Sequence, residues 1–270
     1  MTRARLRSGC TRVLPDVWMH GSAPPTPLER ARAAGCWCRG DGVLAGWSAA
    51  VALGARWVPD DAPGELVLAS TPTPSSGLRT WRSALDATEV DDVDGMVVTT
   101  LTRTAFDLGR RLPLPDAVAA VDHLCWMAVV DPTAVLDHAG LHPGARGTRH
   151  LRRVVELADT GARSPWETRT RLALVLAGLP RPQTQLEVRE PAGRLVAQLD
   201  LGWARWRVGV EYDGDHHRDR DQFRRDITRR ARLVSAGWTV VSVTASDLAA
   251  AAPETLAAVR AALQRAGAPS

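Results

Sequence analysis

Apolar and polar positions alternate along Leu195, Ala197, Leu199 and Leu201, with Val196, Gln198 and Asp200 between them, and this period of two predicts a strand. Gly202 to Arg205 reads as a turn and Arg207 to Tyr212 as the returning strand. On that strand Val208, Val210 and Tyr212 share one face, and Gly209, Glu211 and Asp213 share the other. A hairpin closing near Arg205 and Trp206 then sets Asp200 beside Glu211 on a common face.

The rest of the C-terminal pattern surrounds this hairpin. Ser164-Pro165-Trp166-Glu167 is a helix start, with serine as cap and proline at the first helical position, and Gly178 and Pro180 close that helix. Gln183 to Arg189 predicts a strand, and Pro191 to Gly193 a turn into the strand bearing Asp200. Arg218 to Ala236 predicts a helix with the stripe Phe223, Ile227, Ala231 and Val234, ended by Gly237. Trp238 to Val243 predicts a buried strand and Pro253 to Ala266 a last helix. The order is αβββαβ plus a terminal helix, which implies a mixed sheet with helices on both faces.

Before residue 160 the signals are shorter. Residues 1–20 read as the tail of a small basic module and a short strand. Thr26-Pro27 starts a helix that Gly35 stops, and Trp47 to Leu53 is a short apolar helix ended by Gly54. Glu65 to Ala69, Leu78 to Ser83 and Met96 to Thr99 predict strands, with a Pro/Ser/Thr-rich loop from Ser70 to Gly77. Leu101 to Leu112, Pro115 to about Val130, a third helix from Asp131-Pro132, and Thr148 to Ala158 follow; in the last, Arg149, Arg152 and Arg153 face away from the apolar stripe. The predicted architecture is α/β (α+β overall): a mainly helical α+β domain over residues 1–160 and an αβββαβ domain over 161–270.

Composition adds less than its distribution. The 270 residues contain 34 basic side chains, all arginine, against 30 acidic ones. Residues 1–163 balance at 18 of each, so the net charge of +4 comes from the C-terminal part. A basic domain holding an acidic knot suits a metal-dependent phosphodiester site. The four cysteines form no CxxC pair, which argues against a zinc site built on them and for buried reduced thiols. The arginines at the start precede no apolar run, and no stretch approaches the roughly 20 apolar residues of a membrane span, so a cytoplasmic protein is expected.

Two like charges facing one another across a ladder repel unless a cation lies between them. A hard divalent ion, Mg²⁺ or Mn²⁺, takes carboxylate oxygens and is one solution. An acidic surface turn flanked by the pair His216-His217 is the other.

Residues Ser164-Pro165-Trp166-Glu167, Gly178-Leu179-Pro180, Gln198-Leu199-Asp200, Val210-Glu211-Tyr212-Asp213-Gly214, His217, Asp226, Arg229, Leu233, Gly237-Trp238 and Val240 resemble, in order, a family of bacterial domains related to the very-short-patch-repair (Vsr) endonucleases of the PD-(D/E)XK nuclease superfamily. The resemblance covers about residues 164–250. It implies a restriction-endonuclease-like fold in which Glu167 is the helix acid, Asp200 the first strand acid and Glu211 the second, all three being ligands of Mg²⁺ or Mn²⁺. The superfamily's lysine position is held by Asp213, a departure from the motif; Asp213 is then a ligand of a second ion or a proton acceptor. His217, or His216, would serve as base or leaving-group acid, since an imidazole titrates near pH ~6.5. Arg218, Arg224, Arg225 and Arg229 would neutralise DNA phosphates at the mouth, with Asp226–Arg229 as a structural ion pair the alternative for the last. Gln198 would orient water, and Trp238 is expected in the core.

Arg12 to Trp18, Trp47-Ser48-Ala49-Ala50 and Arg103-Thr104-Ala105-Phe106-Asp107-Leu108 resemble, more loosely, the AbiEi-like region of antitoxins from abortive-infection systems, truncated here before Arg12. The two resemblances imply a metal-dependent DNA endonuclease or nickase of repair or defence. The alternative is a catalytically weak DNA-binding or antitoxin-type protein with a toxin or defence partner.

Overall fold

Strand β4 (Gly64–Leu68) is buried along its whole length, and the first sheet is assembled around it. In this computed structural model, residues 9–69, 75–190, 193–214, 220–249 and 253–269 are described, except for the side chains of 220–227 and 249. The chain divides into two compact units, residues 1–160 and 161–270.

The first unit opens with a hairpin of β1 (Cys10–Leu14) and β2 (Val17–His20), paired Cys10 to His20. Helix α1 (Pro27–Cys38) begins in a capping box: the Thr26 hydroxyl accepts from the Glu29 amide while the Glu29 carboxylate accepts from the Thr26 amide. A five-stranded sheet runs β5 (Leu78–Arg82), β4, β3 (Gly42–Leu44), β7 (Met96–Thr99), β6 (Val90–Val93). Ala31 and Ala34 of α1 pack with Leu44, Leu66, Leu68 and Val98 of this sheet. Strands β3 and β6 carry no clear sequence signal: β3 is three residues long, and β6 is an edge strand with exposed Asp91 and Asp92 at its centre.

After α2 (Gly46–Ala52), four helices complete the unit: α3 (Leu101–Arg111), α4 (Leu114–Ala128), α5 (Thr133–Gly140) and α6 (Thr148–Leu157). Leu108, Val118, Val121, Leu124, Leu151 and Val154 are buried, and Arg149, Arg152 and Arg153 are exposed, as the helical periodicity anticipates. The cysteines are all free, but only Cys125 is buried; Cys36 is exposed, which corrects the expectation of uniformly buried thiols. Among the described residues no single helix is long and apolar enough to cross a membrane.

The second unit begins with α7 (Pro165–Leu176), whose cap Ser164 accepts from the Glu167 amide. Strands β8 (Gln183–Arg189), β9 (Leu195–Trp203) and β10 (Val208–Tyr212) form an antiparallel meander. Helix α8 (Arg220–Ser235) then crosses to β11 (Thr239–Val243), parallel to β10, giving the order β11-β10-β9-β8. Helices α9 (Ala245–Ala249) and α10 (Pro253–Arg265) follow. The α/β class and the αβββαβ order are therefore present. One face packs Leu201, Trp203, Val208, Val210 and Val243 against Leu174 of α7 and Val259 and Leu263 of α10. The other packs Val188, Ala197 and Leu199 against Leu233 of α8, with partly buried Trp238 and Val240.

This packing corrects one reading of the alternation. Leu199 and Leu201 do not share a face; they belong to cores on opposite sides of the sheet. The ladder between β8 and β9 is regular on both sides, Thr184 to Leu201 and Leu186 to Leu199, and is interrupted at Gln185 and Asp200. Gln185 adopts the left-handed conformation, φ 50°, which re-aims the side chains in the way a bulge does. The switch of face falls at Asp200.

Candidate active site

Three elements deliver the acidic residues. The pairing Val208–Trp203, Gly209–Gly202 and Val210–Leu201, continued by one step, sets Glu211 opposite Asp200. The glycines on this ladder have a steric reason: a Cβ on Gly209 would lie 2.6 Å from Leu199 Cδ1, and one on Gly202 2.7 Å from Leu186 Cδ2. Backbone pairing does not extend to Asp200; its Oδ2 accepts from the Tyr212 amide at 2.8 Å instead. Asp200, inside β9, is thus held by hydrogen bonding beside the end of β10 that carries Glu211.

Glu167 arrives from the first turn of α7. It is 8 % exposed, and its Oε2 accepts from the Arg163 amide and from Gln185 Nε2, each at 2.8 Å. The same Gln185 that interrupts the ladder therefore holds Glu167. Gln198, expected to orient water, spends its amide within the protein, donating to the Gln185 carbonyl at 3.4 Å and accepting from Arg163 at 3.3 Å.

Burial and neighbouring charges act together on Asp200. Burial, then the nearby carboxylates of Glu167 and Glu211, push the Asp200 carboxyl up to about 6, against the opposing Tyr212 hydrogen bond and the Arg229 charge. A positive charge beside the three carboxylates offsets that cost.

Part of that charge is already present. Arg229 of α8 forks onto Glu211, Nη1 to Oε1 at 2.5 Å and Nη2 to Oε2 at 2.8 Å. This corrects the expected place of Arg229 at a phosphate-binding mouth: its Nη1 and Nη2 both donate to a carboxylate, the bidentate geometry for which guanidinium is suited. Asp213 donates its amide to the Val243 carbonyl at 2.7 Å, which fixes the backbone at this residue. His216, His217 and Arg218 lie outside the described residues, as do the side chains of Arg224, Arg225 and Asp226.

Two features at this site were not anticipated. Trp166, 36 % exposed, stacks on Tyr212 with ring centroids 5.5 Å apart and planes 1° from parallel, and Arg169 lies 4.7 Å from the Trp166 ring centre. The exposed aromatic surface beside the acids is therefore Trp166; Trp238 packs against the core, as expected. The Ser-Pro-Trp-Glu start places this tryptophan one residue before Glu167, a signal that could have found it. Arg171, one helical turn after Glu167, is fully buried.

Glu167, Asp200 and Glu211 do not form a closed ligand shell. Among the described residues, the group of three whose members each bring a ligand atom within 4.8 Å of the others is Glu89, His138 and His142 in the first unit.

Two Mycobacterium tuberculosis proteins, from strains CDC 1551 and H37Rv and each described as uncharacterized, are 29 % identical to this chain over 157 residues. The match spans 58 % of this chain and 58 % of each relative. No family model matches the chain, and no solved structure does.

Proposed function

We propose that the second unit is a metal-dependent DNA endonuclease or nickase of repair or defence, acting in the cytoplasm at Asp200, Glu211 and Glu167. The observation that carries this reading is the convergence of three carboxylates from a helix and two strands, with Asp200 raised to about 6 by burial and by the other two. The donors are all carboxylate oxygens, partly buried, and this set suits Mg²⁺ or Mn²⁺. When bound, such an ion supplies Lewis-acid stabilisation of charge on a phosphoryl group.

The chain's own residues set the conditions for that binding. An ion at Glu211 would compete with the Arg229 fork for the same carboxylate oxygens. A cation bound there would favour the charged form of Asp200, which burial chiefly disfavours. Trp166 stacks on Tyr212 and carries Arg169 over its ring, so an unpaired base would stack there by displacing Arg169. Asp213, in place of the superfamily lysine, accepts a proton or contributes a further oxygen; it does not supply positive charge. The assignment to His217 rests on the resemblance to the Vsr-related domains. Purified protein incubated with supercoiled plasmid and Mg²⁺ or Mn²⁺ should nick it, and Glu211→Gln should not. Intact plasmid, together with uncut single-stranded and mismatched substrates, would refute the proposal.

A second reading has its own observation. The Arg229 fork gives Glu211 a counter-ion from within the protein, and no lysine stands at position 213. A catalytically weak DNA-binding or antitoxin-type protein, working with a toxin or defence partner, needs nothing more. It predicts salt-sensitive DNA binding that needs no metal and is unchanged by Asp200→Asn.

A further inference from the structure

The first unit contains a second constellation, independent of the acidic site. His138 lies near the end of α5, and His142 follows its last turn, with the His142 amide donating to the Ala139 carbonyl at 3.1 Å. This helical continuation keeps the i, i+4 spacing that sets two imidazoles on one side. Glu89 comes from a single 3₁₀ turn, Ala87–Glu89, closed by a reciprocal cap with Asp86. Its Oε1 lies 2.7 Å from His142 Nε2 and 2.8 Å from His138 Nε2. From these contacts we propose that Glu89, His138 and His142 form a binding site for a borderline divalent transition metal of the Zn²⁺ class.

Three further observations support a metal over an ordinary buried polar cluster. The His138 side chain is 10 % exposed, and its Nε2, although close to Glu89, has no hydrogen-bond partner. It lies within 4.8 Å of both other ligand atoms, and such an orphan in a buried site requires an explanation. Both rings are also fixed. Phe106 stacks on His142 at 5.3 Å and meets His138 edge-on at 5.4 Å, so little side-chain freedom remains to be lost on binding.

The carboxylate is held by its neighbours. Glu89 Oε2 accepts from the Asp86 amide, and Oε1 accepts from Arg103 Nη1 at 2.9 Å. Arg103, fully buried, shares its charge with Asp107 through Nε at 2.9 Å. This outer layer fixes the ligand as metal sites require. Two imidazoles and one carboxylate select Zn²⁺, Co²⁺ or Fe²⁺ over Mg²⁺, and three protein ligands leave a position open.

The test uses the full chain, stripped with a chelator and titrated with Co²⁺ and then Zn²⁺. The expected result is one Co²⁺ with visible bands of low-symmetry nitrogen and oxygen ligation, displaced by Zn²⁺. His142→Gln and His138→Gln should each weaken binding by more than about 100-fold, beyond the 10–100-fold range for outer-layer changes. Asp200→Asn, Glu211→Gln and His216→Gln/His217→Gln should leave it intact, which separates this site from the acidic one. Binding that survives loss of both His138 and His142, or no binding tighter than millimolar, would overturn the proposal. X-ray absorption at the zinc edge of the wild-type chain reads the ligands without a variant: two imidazoles and an oxygen are expected, and sulfur ligation would refute the assignment.

Discussion

Replacing Asp200 by asparagine should stabilise the protein at neutral and alkaline pH in the absence of divalent ions. The folded chain raises this carboxyl from its ordinary 3.8 to about 6, so the fold retains a proton that the unfolded chain has released. A group raised in this way costs stability progressively as pH increases from roughly 4 to 6, and the full cost applies above that window. The displacement of roughly two pH units corresponds to about 3 kcal/mol at 1.36 kcal/mol per unit. Asparagine removes the charge and keeps a carbonyl oxygen to accept from the Tyr212 amide. About 2–3 kcal/mol of stabilisation at pH 8 is therefore expected, or roughly 10 °C in Tm for a unit of this size. The assay is thermal unfolding of wild type and Asp200→Asn with chelator at pH 4.0, 6.0 and 8.0. The gap should open between the first and last, and millimolar Mg²⁺ should narrow it by stabilising the wild type alone. A variant no more stable than wild type at pH 8 would refute the reasoning, since Asp200 would then be carrying its charge at no cost.

Other perturbations probe neighbouring parts of the account. Arg229→Gln leaves Glu211 without its fork and should cost about 1–2 kcal/mol in chelator, less than the 3–5 kcal/mol of a deeply buried pair because Arg229 is partly exposed; urea unfolding with and without Mg²⁺ checks both the loss and its rescue. Arg103→Met removes a fully buried cation from two carboxylates and should cost about 3–5 kcal/mol, seen as a lower unfolding midpoint. Ser164→Ala removes the cap of the helix that carries Glu167 and should cost about 1 kcal/mol in the same assay.

Much of the second unit was readable because its signals are local. Ser164-Pro165 starts α7, Gly237 ends α8, and the turn at Arg205 and Trp206 closes the hairpin, each through the chemistry of a few adjacent residues. The register that sets Glu211 opposite Asp200 followed from the turn position. The change of face at Asp200 was not readable: it depends on Gln185 taking a left-handed conformation, and glutamine, unlike glycine or asparagine, does not advertise one. The Arg229 fork was hidden for another reason. Periodicity gives the phase of a helix against its own axis, but not which residue meets the end of a given strand. In the first unit the four-residue spacing of His138 and His142 carries no signal by itself, and Glu89 lies 49 residues before His138 and joins them only through tertiary packing.

The proposed function depends on whether a divalent ion replaces the guanidinium at the strand ends. Crystals of the full chain soaked in Mn²⁺ should show anomalous density between Asp200 and Glu211, with Arg229 displaced from its fork. Density confined to the Glu89–His138–His142 cluster, with Arg229 still bound through both nitrogens to Glu211, would contradict the hydrolytic reading.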